Sequence, residues 1–281
     1  MIEVNNLNFS YTKNPFIEDM NFIVQSGVIF GFLGPSGAGK STIQKILTGL
    51  ITTYKGNVKV NNIEVKRHDS SFYENIGVDF EFPSLYEKLT SRENMVFFSS
   101  LYKKRQDIDT LLESVGLLKD ADKKVSDFSK GMKSRLNFIK ALVHDPQLLF
   151  LDEPTAGLDP SNSRRMKDII LQQKAMGKTI LLTTHNMYDA TELCDHVAFI
   201  VDGKLRALDT PRNLIMSRGA AKVSYTYMCN GKEVRNEALL NSIGNDNMLQ
   251  KLMQENKLLS IHSSEPTLND IFVELTGRAL Q

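Results

Sequence analysis

The sequence predicts an α/β fold in which a parallel β-sheet is covered by helices on both faces. Two regions support this prediction. Between residues 29 and 50, a buried apolar strand leads through a glycine-rich loop into an amphipathic helix. Between residues 148 and 184, the apolar runs "LLFLD" and "TILLTT" flank a helical pattern. Buried strands that alternate with helices are typical of parallel sheets, because each crossover between parallel strands needs a long connection.

The first predicted elements along the chain are strands. The segment "IEVNNLNFSY" alternates apolar and polar residues, as a half-buried strand does. The segment "NFIVQSGVIFGFLG" predicts a strand and a turn that lead into a buried strand. A helix and the short strand "GNVKVNN" follow the glycine-rich loop. The apolar face of that helix is predicted to consist of Ile43, Ile46, Leu47 and Leu50.

From about residue 85 to residue 145 the pattern is helical. Three segments carry it: "RENMVFFSSLY", "DIDTLLESVGLL" and "SKGMKSRLNFIKALVHDP". In the third, Ser129 is positioned to cap the start of the helix and Pro146 follows its end. Its apolar stripe consists of Met132, Leu136, Ile139 and Val143. This block interrupts the α/β pattern and predicts an inserted helical subdomain.

Strand patterns then resume and end in a smaller region of mixed structure. "AFIVDGKLRAL" predicts a hairpin that turns at Asp202 and Gly203. Beyond about residue 219, "KVSYTYM" and "KLLSIHSSE" read as strands, and "DNMLQKLMQEN" and "TLNDIFVELTG" as helices. Thr267 and Asp270 have the spacing of a capping box. The predicted domains are an α/β core (1–84 and 146–210), a helical subdomain (85–145) and a C-terminal α+β domain (215–281).

Composition limits the classes of partner. The chain has 281 residues and a net charge of +1, so no basic excess favours nucleic acid. Cys194 and Cys229 form neither a metal-binding spacing nor a disulfide framework, which indicates thiols in a reducing compartment. The N-terminus lacks the apolar segment of a signal peptide, and glycines and a proline interrupt the longest charge-free stretch, residues 20–39. We therefore expect no membrane span.

The glycine-rich loop fits the motif G-x-x-x-x-G-K-[ST] through Gly34, Gly39, Lys40 and Ser41. Glycines let backbone N–H groups turn inward around an anion, and the helix that follows directs its N-terminus to the same point. The lysine supplies charge for the β- and γ-phosphates, and the serine a hydroxyl for Mg²⁺. The alternative is a glycine-rich turn without function. The flanking strand and helix favour a P-loop NTPase core of the RecA-like type.

A second chemical motif is "LLFLDEP", in which a buried strand ends in Asp152 and Glu153. The carboxyl ends of central parallel strands face the nucleotide crevice in such folds. Asp152 is expected to hold Mg²⁺ through water, and Glu153 to orient or deprotonate the attacking water. The alternative is an acidic pair that faces solvent.

Three further motifs accompany these two in a fixed order: "FSKGMKSR" (Phe128–Arg135), "AGLD" (Ala156–Asp159) and His185 in "LLTTHNM". Over about residues 2–208 the chain resembles the nucleotide-binding subunits of ATP-binding cassette (ABC) transporters. The resemblance implies ATP and Mg²⁺ as cofactors. The implied nucleotide-binding residues are Tyr11, Gly34, Pro35, Ser36, Gly37, Ala38, Gly39, Lys40, Ser41, Thr42, Glu81, Ser129, Gly131 and Asp159. The implied catalytic residues are Lys40, Glu153 and His185, and the implied metal-binding residues are Ser41, Glu81 and Asp152.

The resemblance also implies how these parts work. Tyr11 would stack on adenine, and His185 would contact the γ-phosphate and keep Glu153 in line. Taken singly, a histidine or a tyrosine at such a position is more often structural, and only their places in the ordered set of motifs favour these roles. Ser129 and Gly131 open a helix and would meet the γ-phosphate held by another subunit. Two subunits would therefore pack head to tail around two ATP molecules, as a homodimer or a heterodimer.

Three residues depart from the family pattern. Lys130 and Met132 replace a glycine and a glutamine of the usual signature. Glu81 stands where the family usually carries a glutamine that touches Mg²⁺ and the attacking water. We hypothesise that Glu81 still couples the site to a membrane partner but changes the affinity for the metal. An unchanged Mg²⁺ dependence in Glu81→Gln would contradict this hypothesis.

The tail "EPTLNDIFVELTG" resembles that of ATPase subunits that pair with separate ABC-2 type permeases. This implies export of a drug, antibiotic, peptide or polysaccharide from the cytoplasmic face of a bacterial-type membrane. Phe82, Leu85 and Tyr86 are candidates for the groove that receives the permease, although core packing explains each one nearly as well. The tail itself is equally well read as a dimer-stabilising appendage.

Other functions stay open at this point. A soluble ABC ATPase that acts on DNA or ribosomes is disfavoured by the single cassette and the near-neutral charge. An ATP-gated regulator without hydrolysis is disfavoured because Glu153 and His185 are both present. An import-type ATPase is a further alternative.

Overall fold

A computed structural model of the protein describes residues 1–82, 84–218, 222–264 and 266–277. The chain forms two units, Met1–Leu208 and Asp209–Gln281. The predicted helical subdomain, 85–145, falls within the first unit.

The strands are β1 (Ile2–Phe9), β2 (Ile17–Val24), β3 (Ile29–Leu33), β4 (Lys55–Val60), β5 (Ile63–Glu64), β6 (Ile76–Asp79), β7 (Leu148–Asp152), β8 (Thr179–Thr184), β9 (His196–Val201), β10 (Lys204–Asp209), β11 (Lys222–Cys229), β12 (Lys232–Leu239) and β13 (Leu258–Ser264). The α-helices are α1 (Lys40–Leu47), α2 (Ser70–Tyr73), α3 (Ser91–Ser100), α4 (Ile108–Ser114), α5 (Lys130–Lys140), α6 (Pro160–Ala175), α7 (Met187–Leu193), α8 (Pro211–Arg218), α9 (Asn247–Gln254) and α10 (Leu268–Thr276).

A six-stranded sheet with the order β10-β9-β3-β8-β7-β6 lies at the centre of the first unit. The strands from β9 to β6 in this order pair in parallel, which confirms the prediction of a parallel sheet. Every residue of β3, β7 and β8 is buried, as expected for a sheet covered on both faces. Because these strands are parallel, the carboxyl ends of β3, β6, β7 and β8 lie along one edge.

A second sheet, with the order β2-β1-β4-β5, packs its apolar side on the same core. Its pairings are antiparallel, and β1, β2 and β4 each bury apolar residues while the residues between them are more exposed. Ile2, Val4 and Leu7 of β1 belong to the hydrophobic cluster that contains Ile43 and Ile46 of α1. This packing fixes α1, and with it the glycine-rich loop, between the two sheets.

Helix α1 is shorter than its sequence predicts. It ends at Leu47, and Gly49 adopts a positive φ of 77° that L-residues rarely take. The prediction that Leu50 continues the apolar face of α1 is therefore wrong, and its side chain is exposed. The stripe predicted for α5 is similarly cut short, because α5 ends at Lys140 while Val143 is buried beyond it.

The helical region contains α3, α4 and α5, and each helix begins at a side chain that caps it. Thr90 and Glu93 form a capping box at α3, and Asp107 caps α4. The Ser129 hydroxyl accepts a hydrogen bond from the Met132 N–H at α5, as predicted. These caps set the direction in which each helix leaves its loop.

The second unit contains the antiparallel sheet β12-β11-β13, and α9 packs on it. Its small core is built from Tyr225, Tyr227, Leu249 and Leu252. Thr267 and Asp270 form the predicted capping box at the start of α10. Glu265, the first residue of the tail motif, lies outside the described residues.

Candidate functional site

The glycine-rich loop joins the buried end of β3 to the first turn of α1. A Cβ atom at Gly34 would lie 2.1 Å from the Ile200 carbonyl oxygen, so only glycine fits there. Gly39, the N-cap of α1, has a φ of 108° and no side-chain cap. Since no side chain caps the first turn of α1, its backbone N–H groups are available to an anion.

Lys40 is the first residue of α1 and is 92% buried, with 8% of its surface exposed. Its Nζ donates hydrogen bonds to the carbonyl oxygens of Gly34 at 2.7 Å and Pro35 at 3.1 Å. Burial lowers the pKa of Lys40, because the charged form is removed from water. Three carboxylates oppose this pKa change and favour the charged form: Glu153, Asp152 and Glu81.

The carboxyl end of β7 supplies the two predicted acids. The Thr183 hydroxyl donates a short hydrogen bond to the Asp152 carboxylate, and the Glu153 N–H donates to the Thr183 carbonyl at 3.0 Å. Glu153 adopts a positive φ of 52°, which is uncommon for a residue other than glycine. The strand therefore ends at Asp152, and the backbone turns at Glu153.

Two groups at the end of β8 hold the Glu153 carboxylate. His185 Nδ1 lies 2.8 Å from Glu153 Oε1, and the Thr184 hydroxyl donates to Oε2 at 3.2 Å. With the carboxylate as acceptor, Nδ1 carries a proton and donates it to the hydrogen bond. Both oxygens of the Glu153 carboxylate are thus held, which is the arrangement expected if Glu153 acts as the predicted base.

These elements line one cavity of about 360 Å³. The predicted residues in its wall are Ser36, Gly37, Gly39, Lys40, Ser41, Thr42, Glu81, Asp152, Glu153 and His185. Phe16 and Ala156 line it as well and were not predicted as site residues. Ala156 directly follows the "LDEPT" sequence, and Phe16 lies one residue before β2, close to Tyr11 in sequence. The available signal for Ala156 was its place in the "AGLD" motif, and the signal for Phe16 was its place five residues after Tyr11.

Four predicted nucleotide-binding residues lie beside the cavity without lining it. Gly34, Pro35 and Ala38 belong to the glycine-rich loop but are not among the residues that line the cavity. Tyr11 is 58% exposed, and its hydroxyl lies 3.0 Å from the Thr42 hydroxyl. Its ring contacts Phe16 edge to face, with centroids 5.4 Å apart. The structure therefore brings the predicted adenine-stacking residue to the phosphate loop.

Ser129, Gly131 and Asp159 do not line this cavity. Ser129 is exposed at the start of α5. Asp159 is exposed at the start of α6, where its carboxylate accepts hydrogen bonds from the N–H groups of Ser161 and Asn162. The hydrogen bond from the Asn162 side chain is the largest cause of the lowered pKa of Asp159.

The donors that converge here suit a nucleoside triphosphate. Backbone N–H groups, an ammonium group and the hydroxyls of Ser41 and Thr42 are ligands for phosphate oxygens. In the described part of the chain, no cluster of three or more His, Cys, Asp or Glu residues can hold a metal alone. A hard cation such as Mg²⁺ commonly binds one or two carboxylates together with phosphates and water, so Asp152 and Ser41 fit that role.

Comparisons with known proteins give the same result. A family model described as "ABC transporter" matches residues 17–156. A fluoroquinolones export ATP-binding protein of Mycobacterium tuberculosis (strain CDC 1551 / Oshkosh) is 47% identical over 284 residues, covering 100% of this chain and 94% of the relative. The linearmycin resistance ATP-binding protein of Bacillus subtilis (strain 168) is 30% identical over 310 residues, covering 100% of both chains.

A solved ATP-binding subunit of an ABC transporter has a TM-score of 0.71 and 29% identity, covering 77% of this chain and 92% of that structure. None of the helices that the structure describes is both long and apolar enough to cross a membrane. Together with the site geometry, these similarities establish that the chain belongs to the ABC transporter family, as an ATP-binding subunit with a P-loop NTPase fold.

Proposed function

We propose that this chain binds ATP with Mg²⁺, pairs with a second ATP-binding subunit and hydrolyses the nucleotide to power export through a separate ABC-2 type permease. One observation carries this proposal: the phosphate loop, Asp152, Glu153 and His185 line a single cavity. Phosphoryl transfer to water needs these groups together, namely an anion cradle, a cation ligand and an oriented base.

In this mechanism, each residue has a role that follows from its position. Lys40 and the loop N–H groups bind the β- and γ-phosphates, and Ser41 and Asp152 bind Mg²⁺. The cation, when bound, neutralises charge on the phosphates. Glu153 accepts a proton from the attacking water, while His185 keeps its carboxylate in place through the 2.8 Å contact.

Glu81 contributes a further carboxylate to the cavity wall. It follows the carboxyl end of β6, and its charge acts on Lys40. We propose that Glu81 tunes Mg²⁺ affinity, as a negative charge beside a divalent cation does. The expected effect of Glu81→Gln is a several-fold change in the Mg²⁺ concentration that half-activates the ATPase.

The exposed N-terminus of α5 supports pairing of two subunits. Ser129, Gly131 and Asp159 stand outside the cavity of their own chain, where a second subunit can reach them. In the proposed dimer, the first turn of α5 meets the γ-phosphate held by the partner. ATP then joins the two subunits and hydrolysis separates them.

Export and membrane association are supported by the relatives and by the surface. The relatives are named for fluoroquinolone export and linearmycin resistance. Phe82 and Tyr86 are exposed aromatic side chains near the cavity residue Glu81, and they suit docking of a permease at the cytoplasmic face of the membrane. The second unit has no role in cargo choice in this proposal.

The test is Glu153→Gln in the purified full chain. We expect steady-state ATP hydrolysis to fall by at least about 100-fold, since a general base contributes about 10²–10⁴ to the rate. Binding of MgATP, measured by calorimetry, should persist, and MgATP should stabilise a dimer in light scattering. Glu113→Gln, at an exposed position on α4, is the matched control and should hydrolyse at the wild-type rate.

Hydrolysis by Glu153→Gln at the wild-type rate would refute the role of Glu153. The transport part of the proposal is tested by co-purification from solubilised membranes and by flux in vesicles that contain the recovered complex. Inward flux would identify an importer, and recovery on ribosomes or DNA in place of a permease would identify a soluble ABC ATPase.

A further inference from the structure

Asn137, in the middle of α5, contacts the chain on both sides of Glu81. We propose that Asn137 is a positioning residue that fixes the Glu81 segment, here residues Asp79–Phe82, to the helix that begins at Ser129. The inference rests on the proposed function, because it concerns how that site is assembled. Asn137 does not line the nucleotide cavity, so it would act on the reaction by positioning residues that do line it, of which Glu81 is the one its contacts bracket.

The contacts of Asn137 use both ends of its amide. Its Nδ2 donates a short hydrogen bond to the Asp79 carboxylate and a second one, of 3.1 Å, to the Phe80 carbonyl. Its Oδ1 accepts a 3.4 Å hydrogen bond from the Ser84 N–H. Only 2% of the Asn137 surface is exposed, so water cannot replace these partners. One buried side chain therefore binds the backbone before and after Glu81.

Asp79 is buried as well and depends on α5 for its partners. Its carboxyl group accepts the short hydrogen bond from Asn137 and is acted on by the charge of Lys140. Lys140 also lies on α5, and its Nζ donates to the Ser84 carbonyl at 3.4 Å. A buried carboxyl group that loses such partners becomes costly, which favours one fixed arrangement of segment and helix.

The face of α5 that carries Asn137 also faces the catalytic carboxylates. Lys130, Ser134 and Asn137 follow a spacing of four and three residues, which places them on one face. They line a small cavity of about 90 Å³ whose other walls include Glu81, Asp152 and Glu153. Helix α5 thus lies directly behind the site, and its first turn is the one proposed to meet the partner's nucleotide.

A functional consequence follows from the stiffness of the helix. Ser129 and Asn137 are eight residues apart, about 12 Å along the axis at 1.5 Å per residue. A displacement of the first turn of α5, when a partner subunit docks, moves Asn137 with it. Through its contacts with Asp79 and Phe80, that movement displaces Glu81. Docking of the second subunit would in this way set the position of Glu81 in the first.

The experiment compares Asn137→Ala with Asn94→Ala in the full chain. Asn94, on α3, is the matched control because its side chain is fully buried and bonds to Tyr86 and Thr90, neither of which belongs to residues 79–82. Both variants lose buried hydrogen bonds, so we expect similar falls in melting temperature. Steady-state ATPase kinetics and amide hydrogen exchange over residues 79–82 are then measured for each.

We expect Asn137→Ala to lower kcat by about tenfold or more while KM for ATP changes less than about threefold. Exchange over residues 79–82 should accelerate by at least about tenfold. Asn94→Ala should keep both quantities within about twofold of wild type. Asp79→Asn, which retains an acceptor for Asn137, should keep kcat within about threefold. Asn137→Ser, which retains one hydroxyl, replaces Asn137→Ala under the same criteria should the alanine variant not fold.

The inference is overturned if exchange over residues 79–82 is unchanged in Asn137→Ala, or if Asn94→Ala lowers kcat equally. It is also overturned if Asp79→Asn loses as much activity as Asn137→Ala, since charge and not position would then matter. ATP hydrolysis by the wild-type chain tests the proposed function separately, so a failure of the inference leaves that result in place.

Discussion

The starts of α1 and α5 are both proposed to bind phosphate, but they are built differently. The N-cap of α1 is Gly39, which offers no side-chain cap, and the buried Lys40 follows at once. The N-cap of α5 is Ser129, which caps its own helix and is exposed. The first site is surrounded by its own chain, whereas the second faces outward.

This difference separates two ways of making an anion site from a helix N-terminus. At α1 the N–H groups are left for the ligand, and nearby side chains supply charge and hydroxyls. At α5 the helix is already capped, so a ligand gains only the N–H groups that Ser129 leaves and its hydroxyl. We therefore expect α1 to control binding of ATP and α5 to control association of subunits.

Removal of the charge at α1 should have the largest effect. Lys40→Ala deletes charge-assisted hydrogen bonds to phosphate, each worth about 1.5–3 kcal/mol, so the Kd for MgATP should rise about 10- to 100-fold. Calorimetric titration measures it. Lys45→Ala, at an exposed lysine of the same helix, should leave Kd within about twofold. Equal Kd values for the two variants would contradict the expectation that the N-terminus of α1 controls ATP binding.

A smaller effect is expected from removal of the cap at α5. Ser129→Ala loses an N-cap, worth about 1 kcal/mol, and one hydroxyl at the proposed interface. We expect MgATP-dependent dimerisation in the Glu153→Gln background to weaken about five- to tenfold, with nucleotide affinity of the monomer unchanged. Sedimentation velocity measures the dimer. Thr90→Ala removes the corresponding cap of α3 and should lower stability alone. Weaker ATP binding by the Ser129→Ala monomer would contradict the expectation that α5 controls only the association of subunits.

The smallest effect concerns the far end of the helical region, where His144 is buried beyond α5. His144 Nε2 lies 2.9 Å from the Ile76 carbonyl, and its ring stacks on Tyr102 at 3.7 Å. Burial lowers the pKa of His144 below its ordinary value of about 6.5. The unfolded chain therefore binds more protons as pH falls below about 6.5, and the folded state loses stability in that range.

We expect the free energy of unfolding to fall from pH 7.5 to pH 5 because of this residue. His144→Gln, which can still donate to the Ile76 carbonyl, should show a shallower loss in urea unfolding across the same pH values. A pH dependence equal to that of wild type would exclude His144 as its source. Such a result would not affect the comparison of α1 and α5, which concerns the N-termini of the two helices.

The features that depend on residues close together in the sequence could be predicted. The phosphate loop, the acids after β7 and the cap at Ser129 each follow from residues close together in sequence. The four-residue strand β6 was not predicted, because a run that short has no measurable periodicity. Leu50 was misplaced because helix termination at Gly49 overrode the apolar spacing.

Contacts between distant residues could not be predicted from one sequence. Asn137 and Asp79 are 58 residues apart, and nothing in the local pattern of either segment indicates that they meet. Gln44 is a second example, because it is fully buried although helical periodicity predicts burial only for apolar positions. Within the described parts of the chain, its amide has no hydrogen-bond partner.

The left-handed backbone at Glu153 has a consequence for evolution and engineering. A non-glycine residue in that conformation costs about 1–2 kcal/mol. Selection for thermal stability alone would favour glycine or asparagine there, and either would remove the carboxylate proposed as the general base. Thermal stability and catalytic activity therefore place opposite demands on residue 153. We expect more stable variants of this enzyme to arise from substitutions elsewhere in the chain.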